Sequence, residues 1–239
     1  MALFVTCLVD AFYPEVGESV VRVLRRLGIS VAFPLEQLCC GQPAFNAGHQ
    51  AAARAVAEGY LRAFEPYEEI VGPSGSCVAM VRHYLPQLFA DDPKRLAQAR
   101  ALAARTFEFT EFLVRRLGVE DLGARFAAKA TYHASCHMSR GLEVRDEPRR
   151  LLSHVRDLEL IDLPYVQDCC GFGGTFAVKM GPVSEAMGQE KVNHIRRTGA
   201  EVLIGSDMAC LMHLGGRLSR IGAGLEVLHI AQVLDRGMA

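Results

Sequence analysis

Two copies of a Cys-Cys-Gly motif carry the most chemically reactive side chains of this sequence, at 39–41 and 169–171. Each pair has one cysteine upstream and one downstream, so the eight cysteines form two quartets in the same order. The quartets are Cys7, Cys39, Cys40 and Cys77, and Cys136, Cys169, Cys170 and Cys210. Because no cysteine lies outside this arrangement, the sequence predicts two equivalent thiolate sites.

Four thiolates in one place are typical of a metal centre. Thiolate is a soft ligand that selects iron–sulfur clusters, zinc or copper(I), and four thiolates suit a [4Fe–4S] cluster or tetrahedral zinc. Structural zinc in small modules is usually held by Cys-x-x-Cys pairs, which neither quartet contains. The wide spacing favours one or two [4Fe–4S] clusters, with zinc in one or both sites as the alternative.

The expected compartment argues against disulfides. The first ten residues contain no basic residue, and Asp10 ends their apolar run, which predicts neither a signal peptide nor a membrane span. We therefore expect a cytoplasmic protein without a transmembrane segment, in surroundings that keep thiols reduced. Adjacent cysteines also have Cα atoms ~3.8 Å apart, below the ~4.4–6.8 Å that disulfides span.

Length and charge limit the classes of function. The 239 residues are enough for two domains of about 120 residues each. With 26 basic and 27 acidic residues the net charge is -1, so the sequence lacks the basic excess typical of nucleic-acid binding. We expect no nucleic-acid partner.

Short apolar strands alternate with amphipathic helices in the first half. Strands are predicted over 3–9, ending near Cys7, over 29–33 and over 69–72, and a closing helix over 107–117. This alternation implies parallel strands in an open α/β sheet, whose strand-to-helix loops gather at one edge. That edge is expected to bring the first quartet together.

The second half repeats this pattern, with strands predicted over 131–136, 158–163 and 201–205 and cysteines at corresponding places. The prediction is an α/β protein of two tandem Rossmann-like parallel-sheet domains. The expected domains are residues 1–119 and 126–239, related by internal duplication and a pseudo-twofold axis.

These motifs carry a family resemblance. They resemble the cysteine-rich "CCG" domain that occurs in a subunit of heterodisulfide reductase, in the glycolate oxidase iron–sulfur subunit and in the lactate utilization protein A family. The glycolate oxidase subunit has an additional ferredoxin-like domain, whose Cys-x-x-Cys-x-x-Cys runs are absent from this sequence. Segments 39–48, 73–77 and 170–176 resemble the lactate utilization proteins closely, and the resemblance covers essentially the whole chain.

One departure from the wider pattern concerns the cluster. In heterodisulfide reductase the motif ends in Cys-x-x-Cys, and its five cysteines hold a noncubane [4Fe–4S] cluster. Ser74 and Asp207 stand at the first position of that final pair here, so each motif keeps four thiols. The alternatives are a conventional [4Fe–4S] cluster on each quartet, a cluster in one domain with zinc or nothing in the other, and oxygen ligation by Asp207.

The resemblance implies an electron-transfer subunit of a three-protein system that oxidises L-lactate to pyruvate. The implied partners are a ferredoxin-like iron–sulfur subunit and a third small subunit, with the substrate oxidised elsewhere. Two other hypotheses are a zinc-binding scaffold subunit and a thiol/disulfide oxidoreductase that uses a cysteine pair as a dithiol. His133, His137 and His213 lie near the second quartet and could ligate metal or relay protons, although each is expected to be a supporting or surface residue.

Overall fold

The structure is a computed structural model that describes residues 1–237. The chain divides into two compact units, Met1–Phe112 and a second unit that begins at Leu113. Each unit contains one sheet, and every strand pairing among the described residues is parallel. The α/β class with two Rossmann-like parallel-sheet regions is therefore confirmed. Within residues 1–237, no helix has the length and apolar character needed to cross a membrane.

The first unit alternates short strands with helices. In chain order its elements are β1 (Ala2–Leu3), α1 (Cys7–Phe12), α2 (Pro14–Arg26), α3 (Gln42–Asn46), α4 (Gln50–Phe64), β2 (Ile70–Gly72), α5 (Gly75–Ala79), a π-helical turn (Met80–Tyr84), a 3-10 helix (Pro86–Phe89), α6 (Pro93–Ala104), β3 (Thr106–Glu108) and α7 (Phe109–Glu111). A π-helical turn (Phe112–Arg116) then continues α7 along the chain into the second unit. The sheet order is β1-β2-β3. Every residue of β2 is buried, as expected where helices cover both faces of a parallel sheet.

The second unit has a four-stranded sheet. Its elements are β4 (Arg125–His133), a π-helical turn (His137–Gly141), α8 (Glu147–Ser153), β5 (Arg156–Ile161), α9 (Thr175–Lys179), α10 (Gly181–Arg197), β6 (Val202–Gly205), α11 (Met208–Arg220), β7 (Glu226–His229) and α12 (Ile230–Asp235). The sheet order is β5-β4-β6-β7.

The two sheets share one strand order. Ala32 makes a single parallel bridge to Ala2 on β1, so the order Ala32, β1, β2, β3 reproduces β5, β4, β6, β7. Two sheets with the same order, each built from consecutive segments, are what internal duplication predicts. The pseudo-twofold relation between the halves stays a prediction.

Three predicted elements are wrong. The strand predicted over 29–33 is reduced to the bridge at Ala32, since Pro34 has no N–H to extend the ladder and Phe33 is 46% exposed. The strand predicted over 3–9 ends at Leu3, and residues from Cys7 onward are helical. The helix predicted over 107–117 begins only after β3. Both β3 and β7 escaped prediction because Glu108 and Glu226 interrupt their short apolar runs, whereas the equally short β2 and β6 contain no charged residue.

The core of the first unit centres on aromatic rings beneath the cysteine-bearing loops. Phe4 contacts Tyr60 and Phe64 edge to face, with ring centroids 5.1 and 5.5 Å apart. Contacts of this kind contribute about 0.5–1.5 kcal/mol beyond area burial. Cys40 belongs to the same apolar cluster, so the first cysteine site rests on a packed core.

Candidate metal centres

The loops at the carboxyl ends of the strands deliver the cysteines of the first unit. Cys7 begins α1 shortly after β1, and Cys77 lies in α5 directly after β2. The Cys39-Cys40 pair lies in the loop between the Ala32 bridge and α3. Parallel strands place these loops at one edge of the sheet, and the predicted quartet is brought together there.

Sulfur–sulfur distances show how close the first quartet is. The Sγ atoms of Cys7 and Cys39 are 3.6 Å apart, and the Cys40 thiol is hydrogen-bonded with Cys39 and with Cys77. Two sulfurs bound to one tetrahedral metal at ~2.3 Å would be about 3.8 Å apart. Cys7 and Cys39 therefore already have the spacing of joint metal ligands.

The second quartet is equally compact and more deeply buried. Cys170 and Cys210 are both buried, with Sγ atoms 3.1 Å apart. Cys169 hydrogen-bonds with Cys136 and with Cys170, which links all four thiols. All eight cysteines are free, so the structure assembles the two predicted quartets without disulfides.

Each quartet favours one thiolate among its thiols. Hydrogen bonds from Cys40 and Cys7 lower the pKa of Cys39 to about 2. Donation to Cys39, more than burial, raises the pKa of Cys40 well above its usual value. Cys169 is the corresponding thiolate of the second site, and hydrogen bonding with Cys136 and with Cys170 lowers its pKa to about 2. Because thiolate ligands are deprotonated, a metal cation would replace the protons that these sulfurs share.

The glycines after the cysteine pairs shape the backbone around the sulfurs. Gly41 has φ +84° and Gly171 has φ +87°, a region that disfavours side chains. The Gly171 N–H donates to Cys169 Sγ at 3.4 Å, and the Phe172 N–H donates to Cys170 Sγ at 3.5 Å. Such N–H donors to sulfur are among the factors that set the potential of a bound cluster.

Ser74 and Asp207 cap the helices that carry Cys77 and Cys210. Ser74 Oγ accepts a hydrogen bond from the Cys77 N–H at 3.3 Å, and Asp207 Oδ1 accepts one from the Ala209 N–H at 3.1 Å. Serine and aspartate are favoured at this position because they satisfy an N–H of the first turn. Capping explains both residues, and oxygen ligation by Asp207 stays an alternative.

Among the three histidines near the second quartet, His133 lies within it. One ring nitrogen of His133 and the Sγ atoms of Cys170 and Cys210 lie within 4.8 Å of one another. His133 is 1% exposed, and neither Nδ1 nor Nε2 has a hydrogen-bond partner among residues 1–237. Burial, aided by the Lys191 charge, lowers the pKa of His133 to about 3, so the ring is neutral at pH 7. His137 lies at the margin, with Nδ1 3.8 Å from Cys136 Sγ.

The buried Lys191 is a residue that the sequence analysis missed. Its Nζ donates to the carbonyl oxygens of Tyr165 (2.7 Å) and Val166 (3.1 Å), in the loop that leads to the second cysteine pair. Burial lowers the pKa of Lys191 to about 8.

Alignment of the two halves of the sequence distinguishes Lys191 from the residue at the corresponding position of the first half. The carbonyl oxygens of Ala53 on α4 and Ser184 on α10 lie next to Gly41 and Gly171, respectively. Tyr60 and Lys191 lie the same interval, about two turns, further along these helices. A lysine in the place of a core aromatic residue marks a local difference between the two units.

The comparisons with known proteins agree with this site. The family described as "Cysteine-rich domain" matches residues 1–82 and 130–215, which include both quartets. Lactate utilization protein A of Geobacillus kaustophilus is 53% identical over 98% of this chain and 98% of its own length. Lactate utilization protein A 2 of Bacillus cereus strain AH820 is 51% identical, covering 100% of this chain and 98% of the relative.

A solved structure supports the fold alone. A hypothetical protein from Helicobacter pylori matches 98% of this chain with a TM-score of 0.65 at 12% identity. This chain spans 47% of the length of that protein.

Proposed function

We propose that this chain, which belongs to the lactate utilization protein A family, is an iron–sulfur electron-transfer subunit of a system that oxidises L-lactate to pyruvate. The names of the relatives support a role in lactate utilization. The electron-transfer role rests on the chemistry of the two cysteine quartets.

The convergence of four thiols at a sheet edge, twice in one chain, carries the proposal. Small zinc modules need their metal to fold, whereas here Phe4, Tyr60 and Phe64 already form a packed core beneath the first site. A metal at this edge is therefore not required to form the core and can serve a function other than folding. Four soft donors in each quartet fit a [4Fe–4S] cluster, which supplies one-electron chemistry when bound.

The burial of the sulfurs suits electron exchange at one side of each site. Cys40 and Cys170 are each 3% exposed, whereas Cys7 is exposed and Cys136 is half-buried. The buried thiols exclude water from the inner side of the site. The outer thiols leave an edge that a redox partner can approach.

The proposed partners are a ferredoxin-like iron–sulfur subunit and a third small subunit. Apolar side chains next to the first cysteine pair support a docking role for this side of the unit, since Leu35 is 84% and Leu38 is 52% exposed. Exposed apolar side chains beside a functional site are typical of interaction surfaces.

Anaerobic purification and reconstitution with iron and sulfide test the proposal. Each occupied quartet should hold about four iron and four sulfide, with broad absorbance near ~400 nm that bleaches on reduction. Cys39→Ser and Cys169→Ser should each remove only the iron of their own quartet, so each variant is the matched control of the other. Colourless protein with stoichiometric zinc and no iron would contradict the proposal.

A zinc-binding scaffold subunit is the second candidate. The 3.6 Å between the Sγ atoms of Cys7 and Cys39 favours it, because this is close to the sulfur–sulfur distance expected when two thiolates bind one tetrahedral metal. Stoichiometric zinc that persists through anaerobic iron reconstitution, with no redox-active absorbance, would establish this function instead.

A further inference from the structure

We propose that the second site has a fifth protein donor, the imidazole of His133, which lies beside Cys170 and Cys210, binds the metal centre of that site and makes the two sites chemically different. This inference rests on the proposed metal binding of the quartets. It assigns a ligand outside the cysteine pattern and predicts unlike metal centres in two units with one fold.

The position of the ring supports a ligand role. His133 is the last residue of β4, and its partner in the parallel pairing to β6 is Gly205, so it lies at the carboxyl edge where the cysteines gather. A ring nitrogen and the sulfurs of Cys170 and Cys210 form a group of donors within 4.8 Å of one another. Imidazole and thiolate together are a common donor set for zinc and iron.

The missing hydrogen bonds of His133 are the second, independent observation. Buried polar side chains are nearly always satisfied by a partner. Within the described part of the chain, both ring nitrogens of His133 lack such a partner, although the residue is 1% exposed. A bound metal would supply the missing partner to one nitrogen, which explains why a polar ring occupies this apolar place.

In the first unit, the residue that corresponds to His133 is not a metal ligand. Phe4 precedes Cys7 by the same interval as His133 precedes Cys136. The Phe4 ring packs edge to face on Tyr60 and Phe64, and a phenyl ring has no donor atom for a metal. The first site therefore has four thiols, and the second has four thiols and an imidazole.

Cobalt(II) binding to the full chain tests the inference, with the protein metal-free, reduced and kept anaerobic. Wild-type protein should bind Co²⁺ at both quartets, and X-ray absorption at the cobalt edge should show imidazole scattering. His133→Phe, which installs the residue of the first unit, should abolish that scattering. It should weaken Co²⁺ binding at the second site by at least about 10-fold, a loss that altering even an outer partner of a ligand causes.

Two further variants keep the test decisive. His133→Cys should restore tight binding with more intense thiolate-to-cobalt absorbance, which a purely packing role would not produce. His137→Gln is the matched control beside Cys136 and should keep the imidazole scattering. Far-ultraviolet circular dichroism and urea unfolding of each metal-free variant, compared with wild type, report that the second unit remains folded.

The outcomes separate this inference from the function it rests on. Wild-type protein that binds Co²⁺ at both sites without imidazole scattering would overturn the role of His133 and leave the proposed function intact. Second-site affinity unchanged in His133→Phe, or scattering lost in His137→Gln instead, would overturn it equally. Failure of both quartets to bind Co²⁺ and, after anaerobic reconstitution, iron would overturn the metal-binding function and this inference together.

Discussion

Alanine at the two motif glycines should have unequal effects, although both glycines follow a cysteine pair and share a left-handed backbone. Gly41 has φ +84° and Gly171 has φ +87°. A Cβ atom built at Gly41 lies 3.5 Å from the Ala53 carbonyl oxygen, which is ordinary contact. At Gly171 the Cβ atom lies 2.6 Å from the Ser184 carbonyl oxygen and 3.0 Å from Met187 Cβ.

The two costs follow from these contacts. A left-handed backbone costs a residue with Cβ about 1–2 kcal/mol, and this applies at both positions. Overlap with the backbone of α10 requires helix displacement at Gly171 only, and overpacking of this kind costs about 1–3 kcal/mol more. We expect Gly41→Ala to destabilise by about 1–2 kcal/mol and Gly171→Ala by about 2–5 kcal/mol.

Urea unfolding of the metal-free, reduced protein, followed by far-ultraviolet circular dichroism, measures both costs. The midpoint shift multiplied by the denaturant slope gives the change in unfolding free energy. Equal destabilisation by the two substitutions, or a larger effect at Gly41, would refute the argument that helix α10 crowds the second motif.

Three further predictions concern buried polar groups. Asp207→Asn should keep both the α11 cap and the metal content of the second site, whereas Asp207→Ala should cost about 1 kcal/mol in urea unfolding. Burial raises the pKa of Glu108 to about 8 from 4.5, so folding retains a proton that the unfolded chain releases. The unfolding free energy should therefore fall as pH rises from about 5 to 8, and Glu108→Gln should remove that fall in urea midpoints. Lys191→Met should speed metal release from the second site about 10-fold or more, measured with a chelator, whereas Tyr60→Phe should leave release from the first site unchanged.

A specific result would contradict each of these three predictions. Loss of second-site metal in Asp207→Asn would show that the carboxylate is a ligand as well as a cap. Urea midpoints of Glu108→Gln that follow the wild-type pH dependence would assign the fall to another group. Equal metal release from Lys191→Met and wild type would show that the Nζ contacts to the loop carbonyls do not hold the second cysteine pair in place.

Much of the fold follows from local pattern. The alternation of apolar strands and amphipathic helices is visible within short windows of sequence, and β2 and β6 lie within the strands predicted over 69–72 and 201–205. The short strands β3 and β7 were missed because their identity depends on parallel partners distant in the chain. The stretch over 29–33 has the apolar character of a strand, but only Ala32 pairs with β1.

By itself, the sequence determined the two quartets, their duplicated order and the soft-metal chemistry that they favour, because these depend on residue type and spacing. Only the tertiary structure decided which neighbours complete each site. His133 and His137 both lie within three residues of Cys136 in the sequence, yet the end of β4 buries His133 against Cys170 and Cys210 while His137 stays at the margin. The physical reason is that pairing with distant strands fixes the direction of a side chain at a strand end. The local sequence does not determine that pairing.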